Sequence, residues 1–476
     1  MRLLLLESTS DRLGRSTGRR DRYGDDSENG VDRVNSSARC YIIYDNCSSM
    51  TSKQNPLLTD LCNMSVERIL YLGYFYPAEV VASRRLPSSN IAGNNRMRRI
   101  TGALASAGLR VDIVSPGICA KCGLTSKLFY GAYRTHEGES EVTVAPAVVV
   151  PLIGAMLEIL FFPFWAMLFL RRGRFDGAVF YNYSISFALL AVLFRARGIP
   201  YIAQVEDIAV PAKADWKPGS ETRPAQQLLY WLCMKVVSGL SVGIWVPSQR
   251  FLTFLPRSKP YLVVRGCVAD SEWGEDSPAR LLTPIRVLFV GKYEIEHGLD
   301  LFVAALEFLR SGAPVGRLYE FDCCGTRDYP AELRSLSAGA DRPVIRLHGL
   351  LSDDEYRKLL AETAVALVLQ KGQGRHANLK SPSKAHEFLA AGKLVIATDV
   401  GDLALNSGSQ LIMLKDESPE ELVRIFEDIA KEPEKYEKIA LAARKYSRRE
   451  SSYVAVGTKL VAFLTRAFIS SQPRGT

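Results

Sequence analysis

The sequence predicts an α/β protein: two doubly wound domains with parallel sheets. Three observations carry this. Short apolar runs alternate with stretches of helical period from Arg68 onward, the pattern of parallel strands covered by helices on both faces. A segment rich in proline, serine and charge, Asp270–Pro284, interrupts the alternation, which then resumes more regularly. At 476 residues the chain is long enough for both cores.

Residues 1–63 do not share the pattern. Leu3–Leu6 is too short for the core of a signal peptide, and Gly24–Gln54 has the turn-forming composition of a disordered leader. Strand character begins only after Met64, so either Met64 is the natural start or residues 1–63 are a disordered leader. Residues 64–272 then form the first, Rossmann-like domain. Ile69–Gly73 is its first strand and opens into a long polar loop, Tyr74–Asn95. A helix over Arg96–Ala107 stops at Gly108, a suitable C-cap. Arg110–Ser115, Gly177–Tyr181 and Tyr201–Val205 supply further strands, and Ser184–Arg197 is a helix closed by Gly198.

Val148–Leu170 is almost wholly apolar and long enough to cross a bilayer, and it ends in Arg171-Arg172-Gly173-Arg174. A spanning helix would leave its flanking strands on opposite sides of a membrane, which one sheet cannot tolerate. A core or membrane-surface helix is therefore expected, with peripheral contact through Val148–Arg174 and its arginines against anionic headgroups.

Residues 273–450 form the second Rossmann-like domain. Ile285–Gly291, Tyr319–Gly325, Val344–Gly349, Val365–Gln370 and Leu394–Asp399 are its strands. Ser352 with Glu355, and Ser418-Pro419 with Glu421, start helices between them. Residues 451–476 hold a last helix, Tyr453–Phe468, expected to cross back to the first domain.

Composition narrows the function. The net charge is +9, but part of it sits in the leader (Arg12, Arg15, Arg19, Arg20, Arg22), and no aromatic nucleic-acid-binding strand accompanies it. Nucleic acid is not an expected partner. Nine cysteines are scattered, and the lone Cys119-x-x-Cys122 has no second pair to complete a zinc site, so free thiols and no metal are expected.

The most informative stretch is Ser381-Pro382-Ser383-Lys384-Ala385-His386-Glu387 through Gly392, running into an apolar strand. Serine and proline open a short helix whose free N–H groups and dipole suit a diphosphate. Glu387, one turn further in, is placed to accept hydrogen bonds from a ribose.

With Gly291-Lys292 after the second domain's first strand, His297-Gly298 opening the next helix, and Gly392-Lys393-Leu394-Val395 after the Glu387 helix, the chain resembles the retaining family-four glycosyltransferases, glycosyl transferases group 1, of the GT-B fold. The resemblance covers most of the chain from about Met64. It implies a nucleotide-sugar donor in the second domain, an acceptor in the first, and reaction in the cleft without metal or cofactor. By that likeness Gly291 and Lys292 meet the diphosphate with His297, Ser383 and Lys384, and Glu387 holds the ribose. Gly93 and Arg96 approach the phosphates from the facing loop. Glu206 or Asp207, at the carboxyl edge of the first sheet, positions or deprotonates the acceptor hydroxyl.

The sequence departs from the family where a second glutamate, eight residues before Glu387, is replaced by Leu379; Asn378 beside it is the substitute sugar contact. Each assignment has a plain structural alternative. Glu387 can pair with Lys384 or Lys393, Glu206 and Asp207 with Arg96 or Arg98, and Lys292 and His297 can be solvated or capping residues.

The expected function is transfer of a sugar, with retention, to a polysaccharide or lipid-linked acceptor at the cytoplasmic membrane face. A catalytically weak nucleotide-sugar-binding subunit and a nucleotide-sugar epimerase of similar fold remain open.

Overall fold

The computed structural model describes residues 66–86, 91–118, 127–150, 153–208, 224–273, 280–325, 328–339, 342–371, 379, 381–404 and 409–471. The leader, the Cys119/Cys122 pair and Asn378 lie outside the described residues.

The first sheet is assembled from β1 (Arg68–Leu72), β2 (Arg110–Ser115), β4 (Tyr133–Glu137), β5 (Ser140–Val144), β7 (Gly177–Tyr181), β8 (Tyr201–Gln204), β9 (Gly243–Val246) and β10 (Tyr261–Val263). A small pair, β3 (Phe129–Tyr130) and β6 (Ala147–Val148), stands beside it. The strand order is β10-β9-β8-β7-β1-β2-β5-β4, parallel throughout except for β4, which returns antiparallel on β5. Continuous apolar runs become central strands because a parallel sheet is buried on both faces. β7 is buried along its whole length.

The helices of this half are α1 (Ala78–Ser83), α2 (Ile91–Ser106), α3 (Ile153–Arg172), α4 (Ile185–Ala196) and α5 (Pro224–Leu240). Ser184 caps α4 by accepting the Phe187 amide at 3.2 Å. The segment Tyr74–Asn95, expected as a loop, instead contains α1 and the start of α2. Asn94, in the first turn of α2, accepts from the Tyr76 amide and donates to the Tyr76 carbonyl at 2.8 Å. A polar residue that looks like loop composition is thus the clip that ties a helix to its approach.

The second sheet uses β11 (Ile285–Val290), β12 (Tyr319–Cys324), β13 (Val344–Gly349), β14 (Val365–Val368), β15 (Leu394–Ala397) and β16 (Ile412–Met413) in the order β13-β12-β11-β14-β15-β16, all parallel. Its helices are α6 (Leu299–Arg310), α7 (Ala331–Ala338), α8 (Asp353–Glu362), α9 (Ser383–Ala390), α10 (Pro419–Lys431) and α11 (Pro433–Ser451). The two expected starts are realised. Ser352 and Glu355 form a reciprocal capping box on α8, and Ser418 accepts the Glu421 amide on α10.

The last helix, α12 (Tyr453–Ser471), crosses back to the first half and packs along α2. A Cβ on Gly457 would stand 1.9 Å from the Ala103 carbonyl oxygen, so this crossing is closer than any side chain permits. Val456, Leu460 and Leu464 complete the first core with Ile69, Val111 and Ile100.

By length and apolarity, Ile153–Arg171 and Tyr453–Ser471 are both capable of crossing a bilayer. The second is a core helix. The first is fastened to the domain: Phe162 and Ala166 are buried, and Glu158 accepts a hydrogen bond from the Tyr74 hydroxyl at 2.9 Å.

Candidate active site

A cavity of about 550 Å³ lies between the carboxyl edges of the two sheets. The second half contributes Phe289 and Val290 at the end of β11, Leu367–Gln370 at the end of β14, His297, and Ser381–Lys384 at the start of α9. The first half contributes Ala92 from α2, Glu206, Asp207 and Ile208 beyond β8, and Phe251. β11 sits between β12 and β14, where the winding of the second sheet reverses, so the cavity opens at a topological switch point.

The first turn of α9 gives the cavity its anion-binding character. Pro382 precedes the helix, and the first internal bond runs from the Ala385 amide to the Pro382 carbonyl at 3.0 Å. The amides of Ser383 and Lys384 have no acceptor within the helix and carry its positive end. Lys384 adds a full charge, packed 4.4 Å from the centre of the Tyr356 ring.

Glu387 lies behind this turn, 6% exposed, and does not line the cavity. Its carboxylate accepts from Tyr356 Oη at 2.7 Å, from Lys384 Nζ at 3.1 and 3.2 Å, and from Arg99 at 3.2 Å. Burial alone would raise its pKa, but Lys384, Arg99 and the Tyr356 hydrogen bond together hold it below the ordinary value. The expected pairing with Lys384 is therefore present, whereas Lys393 turns away to the carbonyls of Ala361 and Thr363. Arg99 comes from α2 and also binds Glu272 at 2.6 Å, so Glu387 joins the two halves.

Two other basic positions, each beside a glycine, fare differently. His297 lines the cavity, with Glu294 3.8 Å away. Gly298 after it has a φ of +81° and approaches Leu369 so closely that a Cβ would lie 1.9 Å from the Leu369 carbonyl oxygen. Gly291 ends β11 with a φ of +142° and turns the chain away from the sheet. Lys292, which follows, is exposed and does not line the cavity.

Across the cavity, Glu206 and Asp207 are held by a residue the sequence reading missed. Asn182, just after β7, has a φ of +60°, a left-handed conformation that asparagine tolerates better than most side chains. Its Oδ1 accepts from the Glu206 amide at 2.7 Å and the Asp207 amide at 3.2 Å, and its Nδ2 donates to the Asp207 carboxylate at 2.9 Å. The only available signal was an asparagine between a strand end and the α4 cap. Asp207 is exposed to the cavity; its enclosure by the cleft walls, then the neighbouring Glu206 charge, raises its pKa.

Glu206 is neutralised by Arg96 at 2.9 Å and receives Gln204 Nε2 at 2.6 Å. Arg96, expected at the phosphates, also donates to the carbonyls of Val264 and Arg265. It does not line the cavity. Gly93 lies inside α2 and not in a loop; its neighbour Ala92 lines the wall. α2 begins earlier than its polar sequence indicates, so Gly93 stands in its first turn and not in the expected loop.

Leu379, at the position of the absent glutamate, is in the cavity wall with Phe251 and Ile208. These side chains give the cavity wall an apolar stretch.

The model of the family "Glycosyl transferase 4-like domain" matches residues 92–260, and that of "Glycosyl transferases group 1" matches residues 284–432. No curated protein sequence matches the chain. Among solved structures, sucrose-phosphate synthase from Thermosynechococcus elongatus superposes with a TM-score of 0.60 at 13% identity, over 85% of this chain and 100% of its own. HepE from Anabaena, in complex with UDP, gives 0.57 at 13% identity, over 84% and 100%. The α,α-trehalose 6-phosphate synthase of Burkholderia multivorans gives 0.54 at 10% identity, over 86% and 100%. At these identities the likeness speaks to the fold.

Proposed function

The chain belongs to the group 1 glycosyltransferases of the GT-B fold, and from that premise we propose that it moves a sugar from a nucleoside diphosphate, with retention, to a lipid-linked or polysaccharide acceptor at the cytoplasmic membrane face. One observation carries the reading: the amide-rich start of α9 and the Asn182-held acid pair open on the same cavity from opposite halves.

In this proposal the diphosphate rests on the Ser383 and Lys384 amides, with Lys384 as a nearby cation and His297 as a nearby ring donor. Negative charge builds on the diphosphate as its bond to the sugar breaks, and fixed dipoles and cations there lower the barrier. Those groups can meet the charge without a metal. Glu387 receives the ribose by exchanging one of its present partners. Lys292, on a flexible stem after Gly291, reaches the phosphates only when they are bound. Asp207 orients the acceptor hydroxyl and takes its proton. HepE, an Anabaena structure of the same fold, holds UDP, which supports a nucleotide donor.

Transfer and hydrolysis over a panel of UDP-, GDP- and ADP-sugars test this. The expected result is turnover of one donor class, abolished in Asp207→Asn with donor binding kept. Binding without turnover for every donor and acceptor would instead favour the nucleotide-sugar-binding subunit. No nucleotide binding at all would overturn the reading.

A further inference from the structure

We propose that the first half docks on an anionic lipid bilayer through a platform of three packed helices, α3, α4 and α5, lying in the plane of the surface. This deepens the transferase reading and rests on it only for the conclusion that the acceptor is one presented at that surface.

On α3 the exposed apolar residues are Ile153, Met156, Leu157, Leu160, Phe161 and Phe164. They recur at helical spacing and form one outward stripe, while Phe162 and Ala166 face the core. Leu160 is 61% exposed and Phe164 60%. The neighbouring helices continue the surface: Leu189, Val192 and Leu193 are exposed on α4, and Leu228, Leu229 and Leu232 on α5. α3 packs on α4, and α4 on α5, so this is one contiguous face. A contiguous apolar surface of this extent is unusual on a monomer and marks an interaction site.

Charge selects the occupant. Neither α4 nor α5 contains an acidic residue, and the one acid of α3, Glu158, is turned inward onto Tyr74. Among the described residues, exposed charges at the border include Arg171 and Arg174 beyond the stripe, with the acid Asp176 after them held by the Glu67 and Arg68 amides, and Arg195 and Arg197 at the end of α4. Arg195 lies three residues from Val192, hence on the same face. A two-fold contact would face this surface with its own copy, in which none of the three helices presents an outward acid. An anionic bilayer supplies both an apolar interior and the countercharge.

The platform also adjoins the cleft. α3 is tied near its start to Tyr74, which follows β1, and α4 begins just beyond Asn182, which holds Asp207. An acceptor anchored in the bilayer therefore enters beside the acid pair.

The full chain is tested by flotation with phosphatidylcholine vesicles and with vesicles that also contain phosphatidylglycerol. Strong binding to the mixed vesicles is expected, falling at least about tenfold on phosphatidylcholine alone or in high salt. A Leu160→Ser/Phe164→Ser variant and an Arg195→Glu/Arg197→Glu variant should each lose about tenfold or more, with nucleotide-sugar binding unchanged. No flotation with mixed vesicles, or flotation indifferent to both variants, overturns the platform. A dimer dissolved by Leu160→Ser/Phe164→Ser, without vesicle binding, assigns the face to a second copy and also overturns it. Loss of flotation with nucleotide binding kept leaves the transferase reading intact; flotation without nucleotide binding sinks that reading alone.

Discussion

Glu387 and His386 are consecutive residues with opposite demands, and both can be tested. Glu387 is a buried carboxylate satisfied by Lys384, Arg99 and Tyr356. Glu387→Ala should weaken nucleotide-sugar binding about tenfold or more and lower stability by about 1–2 kcal/mol, because it removes the buried carboxylate that Tyr356, Lys384 and Arg99 share, while Arg99 keeps Glu272. Calorimetric titration and urea unfolding measure the two effects; wild-type affinity would remove Glu387 from the donor site. His386 is buried, and its pKa is pushed down from 6.5 to about 4. Burial is the main cause, followed by Arg96 and Arg265, against the opposing pull of Asp402. The unfolded chain therefore binds the extra proton first. Stability is full above 6.5 and declines as pH falls toward 4, by about 3 kcal/mol in all. Unfolding at pH 7 and 4.5 should show that slope in the wild type and lose it in His386→Gln.

Elements meet here through contacts that only small residues allow. α12 reaches the first core because Gly457 lies against the Ala103 carbonyl and Gly102 admits the Tyr453 ring. Gly457→Val should force α12 off α2 and cost about 2 kcal/mol or more. A denaturation midpoint equal to wild type would show that the crossing is looser than the structure has it. The same logic applies to α2 itself. Its early start places Asn94 on the Tyr76 main chain and turns Arg96 inward to Glu206. The earlier start puts Gly93 and Asn94 in helical backbone, with Asn94 clipped to Tyr76.

For the whole molecule, charged links join the two halves alongside the crossing of α12 and the Val268, Trp273 and Ala390 contact. Arg265 binds Asp402 at 3.0 Å, the Asp402 carboxylate also accepts the Gln249 amide at 3.1 Å, and Arg99 bridges to Glu387. Asp402 is nearly fully buried. Arg265→Ala should loosen the halves, giving faster limited proteolysis near residues 270–284 and a lower donor affinity than wild type. Cleavage at the wild-type rate would show that α12 and the apolar contacts hold the halves without this link.

Much of this architecture is determined locally. Buried strand runs such as Ile69–Leu72 and Val287–Phe289, the caps at Ser352 and Ser418, and the Ser381–Gly392 helix are legible because neighbours in sequence create them. β4 and β5 were not legible, since a short polar hairpin at a sheet edge lacks an apolar run. The site was half legible. Ser383, Lys384, His297 and Asp207 could be named from their positions at strand and helix ends. That Asn182 holds Asp207, that Tyr356 and Arg99 share Glu387, and that Arg96 faces Glu206 and not the cavity were decided by tertiary structure. The physical reason is range: caps and strands follow from the nearest few residues, whereas a buried charge takes whichever partners the packed sheets bring to it.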